Sequence, residues 1–157
     1  MAEQKAKMKI VCDNRKARHE FHFLEVFEAG IELFGTEVKS LRAGQANLQD
    51  AYAKIENGEI WLYNMHISPY TMGNRFNHEP KRPRRLLLHK QEILRLYSKV
   101  REKGLTIVPT KVYFNGSRAK VEIALAQGKK LYDKREDLVA KAVKRDTERA
   151  LKERGRG

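Results

Sequence analysis

Asn-Gly occurs twice in this chain, at Asn57-Gly58 and Asn115-Gly116, each time between segments whose apolar and polar residues alternate. Both residues tolerate positive φ, so the pair suits the tight turns that join antiparallel strands. Before the first, Ala51, Ala53 and Ile55 alternate with Tyr52, Lys54 and Glu56, and Ile60-Trp61-Leu62-Tyr63 follows it. Around the second, the pattern runs from Thr106 through Val108, Val112 and Phe114. It returns with Ala119, Val121, Ile123 and Leu125 on one face and Lys120 and Glu122 on the other. Two hairpins commit the chain to antiparallel sheet, because side chains in a strand point alternately to its two faces.

The rest of the pattern fits around them. Phe21 to Phe27 is rich in aromatic and branched residues, Glu28-Ala29-Gly30 interrupts it and Ile31 to Phe34 resumes it, which predicts a further hairpin. Thr36 to Arg42, with Val38 and Leu41 three apart and Gly44 beyond, predicts a short helix. A longer helix is expected over Leu86 to Lys103, where Ile93, Leu94, Leu96, Tyr97 and Val100 lie at helical spacing and Gly104 ends the run. About six short strands with a late helix predict a mainly β fold, a small closed or partly closed antiparallel barrel of the oligonucleotide-binding type with flanking α-helices. A split sandwich is the alternative. At 157 residues the chain suits one core with appendages. The expected division is a flexible segment over 1–12, the barrel over 13–128 and a basic tail over 129–157.

Charge points to the partner. Lys and Arg number 33 against 20 Asp and Glu, a formal net charge of +13, so a polyanion is expected. No apolar span or basic amphipathic helix argues for a membrane, and the start of the chain lacks a signal-peptide pattern, which predicts a cytoplasmic protein. Cys12 is the single cysteine, read as an ordinary thiol near a strand start; it permits no disulfide and no cysteine-built zinc site within one chain. His19 and His22 fall on opposite faces of a strand, and His66, His78 and His89 are scattered, so no metal is expected. No nucleophile elbow, phosphate-binding glycine loop or zinc-protease pattern occurs, and neither an enzymatic role nor a cofactor is expected.

Within this frame, Lys81-Arg82-Pro83-Arg84-Arg85 is the densest run of charge, expected as an extended loop whose Arg82, Arg84 and Arg85 meet phosphates. A solvated connection is the plainer alternative. Trp61, Phe21, Phe23 and Phe114 are expected in the core. Tyr70 at a loop entrance and Tyr132 between Lys130 and Lys134 are candidates for stacking on bases. From composition Glu28 reads as an ordinary solvated carboxylate. Lys129 to Gly157 holds 11 basic and 6 acidic residues, a net +5, with few large aliphatics and fair helix propensity. It is expected to be disordered alone and helical when bound.

The strings EAGIELFGTEVKSLRAGQANL (Glu28 to Leu48), RPRRLLLHKQEI (Arg82 to Ile93) and GKKLYDKRE (Gly128 to Glu136) resemble the small protein B family, in its order and spacing, over nearly the whole chain from Asn14. The resemblance implies a barrel that grips the tRNA-like domain of transfer-messenger RNA, supports its alanylation by alanyl-tRNA synthetase and its delivery by elongation factor Tu, and performs no chemistry itself. It implies RNA-surface roles for Glu28, Leu87 and Lys120, with Asn14, Lys39 and Arg42 as further candidates, which reverses the plain reading of Glu28. It implies that the tail enters the decoding centre and vacant messenger channel beside small-subunit rRNA, through Gly128, Lys129, Lys130, Tyr132, Asp133, Lys134 and Arg135. Relatives also carry His at the position of Tyr132, a change that stacking survives. A monomer is expected. Two rivals stand beside this reading: a general single-strand RNA-binding or ribosomal protein, which would bind many RNAs equally, and an RNA-processing enzyme, which would turn RNA over.

Overall fold

The computed structural model describes residues 8–70 and 77–129. The chain divides into two units, Met1–Gln127 and Gly128–Gly157; the architecture below is that of the first, and of the second only Gly128 and Lys129 are described. The expectations for Lys130, Tyr132, Asp133, Lys134 and Arg135 lie outside the described residues.

The elements are β1 (Met8–Asp13), α1 (Arg15–Glu20), β2 (Phe21–Ile31), α2 (Gly35–Arg42), β3 (Ala46–Asn47), β4 (Tyr52–Glu56), β5 (Glu59–Tyr63), β6 (His66–Ile67), β7 (Arg84–Leu87), α3 (Lys90–Lys103), β8 (Thr106–Asn115) and β9 (Arg118–Gly128). The expected flexible start is therefore strand from Met8 onward. The main sheet runs β1-β8-β4-β5-β7-β2-β9, and β8 also pairs with β9, so six strands form a ring with β1 added outside β8. β3 and β6 make a separate two-stranded pairing. The fold is mainly β with flanking helices, as expected.

The first Asn-Gly turn forms as read: Asn57 and Gly58 have φ of +52° and +76°, and β4 pairs with β5 from Tyr52 opposite Tyr63 to Glu56 opposite Glu59. The second turn sits one residue later. Asn115 pairs with Arg118, leaving Gly116-Ser117 as the loop, with positive φ at Gly116 alone. That shift slips the pairing by two residues, and because the side-chain period is two the inward set is unchanged. Val121 and Ile123 are fully buried and Leu125 nearly so. Pro109 lies next to the irregularity at Thr110, where the missing proline N–H leaves the ladder least disturbed.

The expected hairpin at Glu28-Ala29-Gly30 is not formed; β2 continues through it to Ile31, where Gly30 and Ile31 pair with Leu87 and Leu86 of β7. The alternation already present before Glu28 carries straight on, and Gly30 is not among the residues with positive φ. A second correction concerns Arg82 to Leu86. From Arg84 the chain is strand β7, paired with β5 and β2, and the helix begins only at Lys90. Pro83 precedes the strand, and Leu86, assigned to the helix, is a core strand residue 1% exposed. The Glu92 carboxylate accepts the His89 N–H at 3.3 Å at the true helix start, and Gly104 ends it with φ +60°. Leu96 is buried and Ile93 and Val100 pack against the core, while Leu94 and Tyr97 point to solvent. The short helix forms as expected, over Gly35–Arg42.

Candidate nucleic-acid interface

On β2 the outward positions are Leu24, Val26 and Glu28, all exposed, while Ala29 behind them is fully buried. Leu87 projects from β7 beside Gly30, where a Cβ would stand 3.2 Å from the Leu87 Cβ; the bare glycine lets Leu87 lie across β2. Lys120 of β9 pairs with Tyr113 of β8, and the Tyr113 hydroxyl donates a hydrogen bond to the Glu28 carboxylate. Glu28, Leu87 and Lys120 consequently line one open cleft of about 570 Å³, together with Gly30, Leu88, His89 and Glu92. Three residues separated by up to 92 positions in sequence are thus neighbours, because β2 pairs with both β7 and β9.

Burial, and then the hydrogen bond and charge of Glu28, hold the Tyr113 phenol well above its ordinary pKa. Tyr113 therefore remains a donor, fixing one carboxylate oxygen of Glu28 and leaving the other to accept. A fixed acceptor, a cation and an exposed leucine in one cleft can read a base amino group, meet a phosphate and cover an apolar ring face or ribose.

The cluster Arg82-Pro83-Arg84-Arg85 is not a uniform phosphate surface. Arg84 is fully buried: its Nε donates to Glu37 Oε2 at 2.5 Å, Nη1 to the Met65 carbonyl at 2.7 Å and Nη2 to the Pro80 carbonyl at 3.1 Å. All its polar atoms are used inside the fold, so the expected phosphate contact by Arg84 is corrected to a structural one. Arg82 is partly covered, donates to Glu37 Oε1 at 2.6 Å and lies 4.1 Å from the centroid of Phe34. Arg85 alone of the three projects outward with a side chain 41% exposed, within 3.5 Å of Glu32 and 3.7 Å of Glu59. Burial raises the pKa of Glu37, but the hydrogen bonds from Arg82, the Phe34 N–H and Arg84 outweigh it and hold the carboxyl below its ordinary value.

Asn14 likewise serves the fold. It is 5% exposed, its amide donates to the Pro109 carbonyl at 2.8 Å, and its side-chain oxygen accepts the Ala17 N–H at 3.1 Å as the cap of α1. Lys39 is exposed on α2, its Nζ 5.5 Å from the Tyr70 ring centroid. Arg42 lies 4.7 Å from the Phe114 ring centroid and lines a separate groove with Lys9, Ile10 and Gly44. Neither joins the Glu28 cleft. Gly128 ends β9, and Lys129 follows it.

A sequence profile described as SmpB protein matches residues 11–153. The chain belongs to the SmpB family. It is 69% identical over 147 residues to the SsrA-binding protein of Desulforamulus reducens, covering 93% of this chain and 91% of that protein. It is 64% identical to the SsrA-binding protein of Pelotomaculum thermopropionicum, covering 95% and 97% respectively. Among solved structures, a chain described under "tmRNA-SmpB: a journey to the center of the bacterial ribosome" superposes with a TM-score of 0.65 at 53% identity, covering 76% of this chain and 85% of that one.

Sequence reasoning missed Tyr113, which orients Glu28. Its position opposite Lys120 on the polar face of the hairpin was the available signal. Trp61 was also misplaced: it belongs to neither apolar cluster, since its neighbours Ile60 and Leu62 are the fully buried residues of β5. Phe114, in contrast, is buried as expected.

Proposed function

We propose that this chain is a non-enzymatic RNA-binding factor that grips the tRNA-like domain of transfer-messenger RNA and brings it to stalled ribosomes for trans-translation. The observation that carries the reading is the convergence of Glu28, Leu87 and Lys120 on one cleft, with Tyr113 fixing the carboxylate. In this reading the ring of strands is a small barrel of the oligonucleotide-binding type, presenting RNA-reading residues on its outer face. Arg85, Lys39 and Arg42 add phosphate contacts around it. Alanyl-tRNA synthetase and elongation factor Tu act on the same RNA and are partners through it, while the chain itself works as a monomer in the cytoplasm.

The basic tail over 129–157 takes a separate task. With a net charge of +5 it competes with messenger for an rRNA-lined channel and threads only when that channel is empty, so that occupancy becomes the signal. Folding of the tail there would gain mainly from phosphates meeting Lys and Arg, which makes it strongly salt dependent.

The test is binding of isolated tRNA-like domain and of bulk elongator tRNA across a salt series, with the full chain and with a chain ending at Gly128. A preference on the order of a hundredfold or more, surviving salt and truncation, is expected for a dedicated reader. Glu28→Ala or Lys120→Ala should weaken that preference, and Tyr113→Phe should weaken it less while leaving Lys120 untouched. Tail deletion should spare RNA binding and abolish rescue. Equal affinity for both RNAs, collapsing together with salt, would reduce the chain to a generic basic RNA binder.

A further inference from the structure

The outward positions of β4 and β5 are Tyr52, Lys54 and Glu56 on one strand and Glu59, Trp61 and Tyr63 on the other, and none is aliphatic. Tyr52 pairs with Tyr63 across the strands, their rings stacked with centroids 5.4 Å apart and planes inclined by 19°. On the next outward rung, Trp61 stands between Lys54 of β4 and Arg85 of β7. This surface presents three aromatic rings, with Lys54 and Arg85 flanking Trp61 and no aliphatic side chain on the outward positions of β4 and β5, Leu87 lying beyond Arg85 on β7. It matches the needs of unpaired nucleotides, whose bases stack on rings while phosphates meet cations.

We propose that the outer face of β4, β5 and β7 is a second RNA-binding surface, on which single-stranded bases stack on Tyr52, Tyr63 and Trp61 and phosphates contact Lys54 and Arg85. The polarity of the surface follows from its carboxylates. Glu56 and Glu59 form the rung beside the Asn57-Gly58 turn, Glu56 accepting the Tyr63 hydroxyl at 2.9 Å and lying 3.8 Å from Lys54, and Glu59 facing Arg85. That end repels phosphate, so the RNA leaves by the Tyr52 end. There a cleft of about 340 Å³ opens, lined by Tyr52, Lys54, Ile55, Tyr97 and Arg101 among others. Tyr97 is 44% exposed, and Arg101 donates to its hydroxyl at 3.1 Å, which brings a cation and another ring to the path. The surface uses residues separate from the Glu28 cleft and does not depend on it, although Arg85 and Leu87 lie two positions apart on one face of β7, about 7 Å, close enough for one RNA to touch both.

Trp61 is the chain's single tryptophan and reports directly. The experiment titrates the full chain with a short oligoadenylate, following Trp61 emission and the anisotropy of the labelled oligonucleotide. Saturable quenching that tracks anisotropy is expected. Tyr52→Ala should weaken the affinity by about fivefold to a hundredfold, the range for loss of one stacked base, with Tyr52→Phe close to the parent. Lys54→Ala should lower the salt slope by roughly one contact. Lys16→Ala, which removes an exposed cation of α1 outside both surfaces, should leave the quenching curve unchanged, which separates stacking on this face from general charge. Saturated anisotropy with unchanged Trp61 emission would overturn the proposal, as would equal quenching by polyglutamate or parental affinity in both Tyr52→Ala and Trp61→Leu chains of unchanged circular dichroism.

Discussion

Glu37→Ala should be strongly destabilising. The carboxylate is fully buried and ties α2 to β7 and to the segment before it: it accepts the Phe34 N–H at the start of α2 at 2.7 Å, holds Arg84 of β7, and holds Arg82 just before that strand. Its removal strands the fully buried Arg84 guanidinium without a counter-charge. Breaking a buried pair in this way costs about 3–5 kcal/mol, against a total stability of about 5–15 kcal/mol for a typical domain. A fall in melting temperature on the order of 10–20 °C is the corresponding expectation. Urea titration measures it directly, as a lower midpoint with an unchanged slope. Replacing both partners, Glu37→Met with Arg84→Met, should recover part of the loss, because the buried charge leaves with its counter-charge while the Phe34 N–H, Arg82 and the Met65 carbonyl still lose a partner. The pH dependence has a defined sign. The folded carboxyl is held below its ordinary value, so its contribution is complete above the unfolded carboxyl pKa of about 4.3 and is lost as pH falls through the depressed folded value. Glu37→Gln should remove that part of the acid dependence. A Glu37→Ala chain whose urea midpoint matches the parent would refute the reasoning, since Arg84 would then have found other compensation.

Adjacent leucines should separate folding from recognition: Leu86→Ala should cost about 2–5 kcal/mol in urea titration, whereas Leu87→Ala, at an exposed position, should leave the midpoint nearly unchanged and weaken binding to the tRNA-like domain. Asn14→Ala should lose about 1–2 kcal/mol through the α1 cap and the Pro109 carbonyl left without its donor, and should reduce RNA affinity only as far as it unfolds the chain. Burial pushes the Cys12 thiol up to about 11, so its alkylation by iodoacetamide at neutral pH should be slow in the native chain and rise sharply in urea. Fast native alkylation would show that β1 opens readily from β8.

Strand alternation and turn chemistry are local, and they alone determined the Asn57-Gly58 turn, the second hairpin though not its turn residues, the inward set Val121, Ile123 and Leu125, and the helical face of Ile93, Leu96 and Val100. The same locality explains the failures. A Gly after Glu-Ala signals a turn when only the chain itself is considered; that Gly30 instead clears space for Leu87 depends on β7 lying alongside, more than fifty residues away. Likewise Leu86-Leu87-Leu88 carries no period that distinguishes strand from helix, and pairing with Ile60 and Gly30 decides it.

For the site, the resemblance to the SmpB family named Glu28, Leu87 and Lys120 one at a time, and net charge announced a polyanionic partner. Ring closure of the sheet, not the sequence, put the three in one cleft and gave Glu28 its hydroxyl donor. Charge in a sequence is also blind to compensation: Arg82, Arg84 and Arg85 are equal on paper, yet the fold spends Arg84 on Glu37, shares Arg82 with it and leaves Arg85 outward. A cation's role is set by which carboxylate and carbonyls surround it and by how much water reaches it. Those are properties of the tertiary structure, because in the low dielectric of the core an Arg without such partners could not be buried at all.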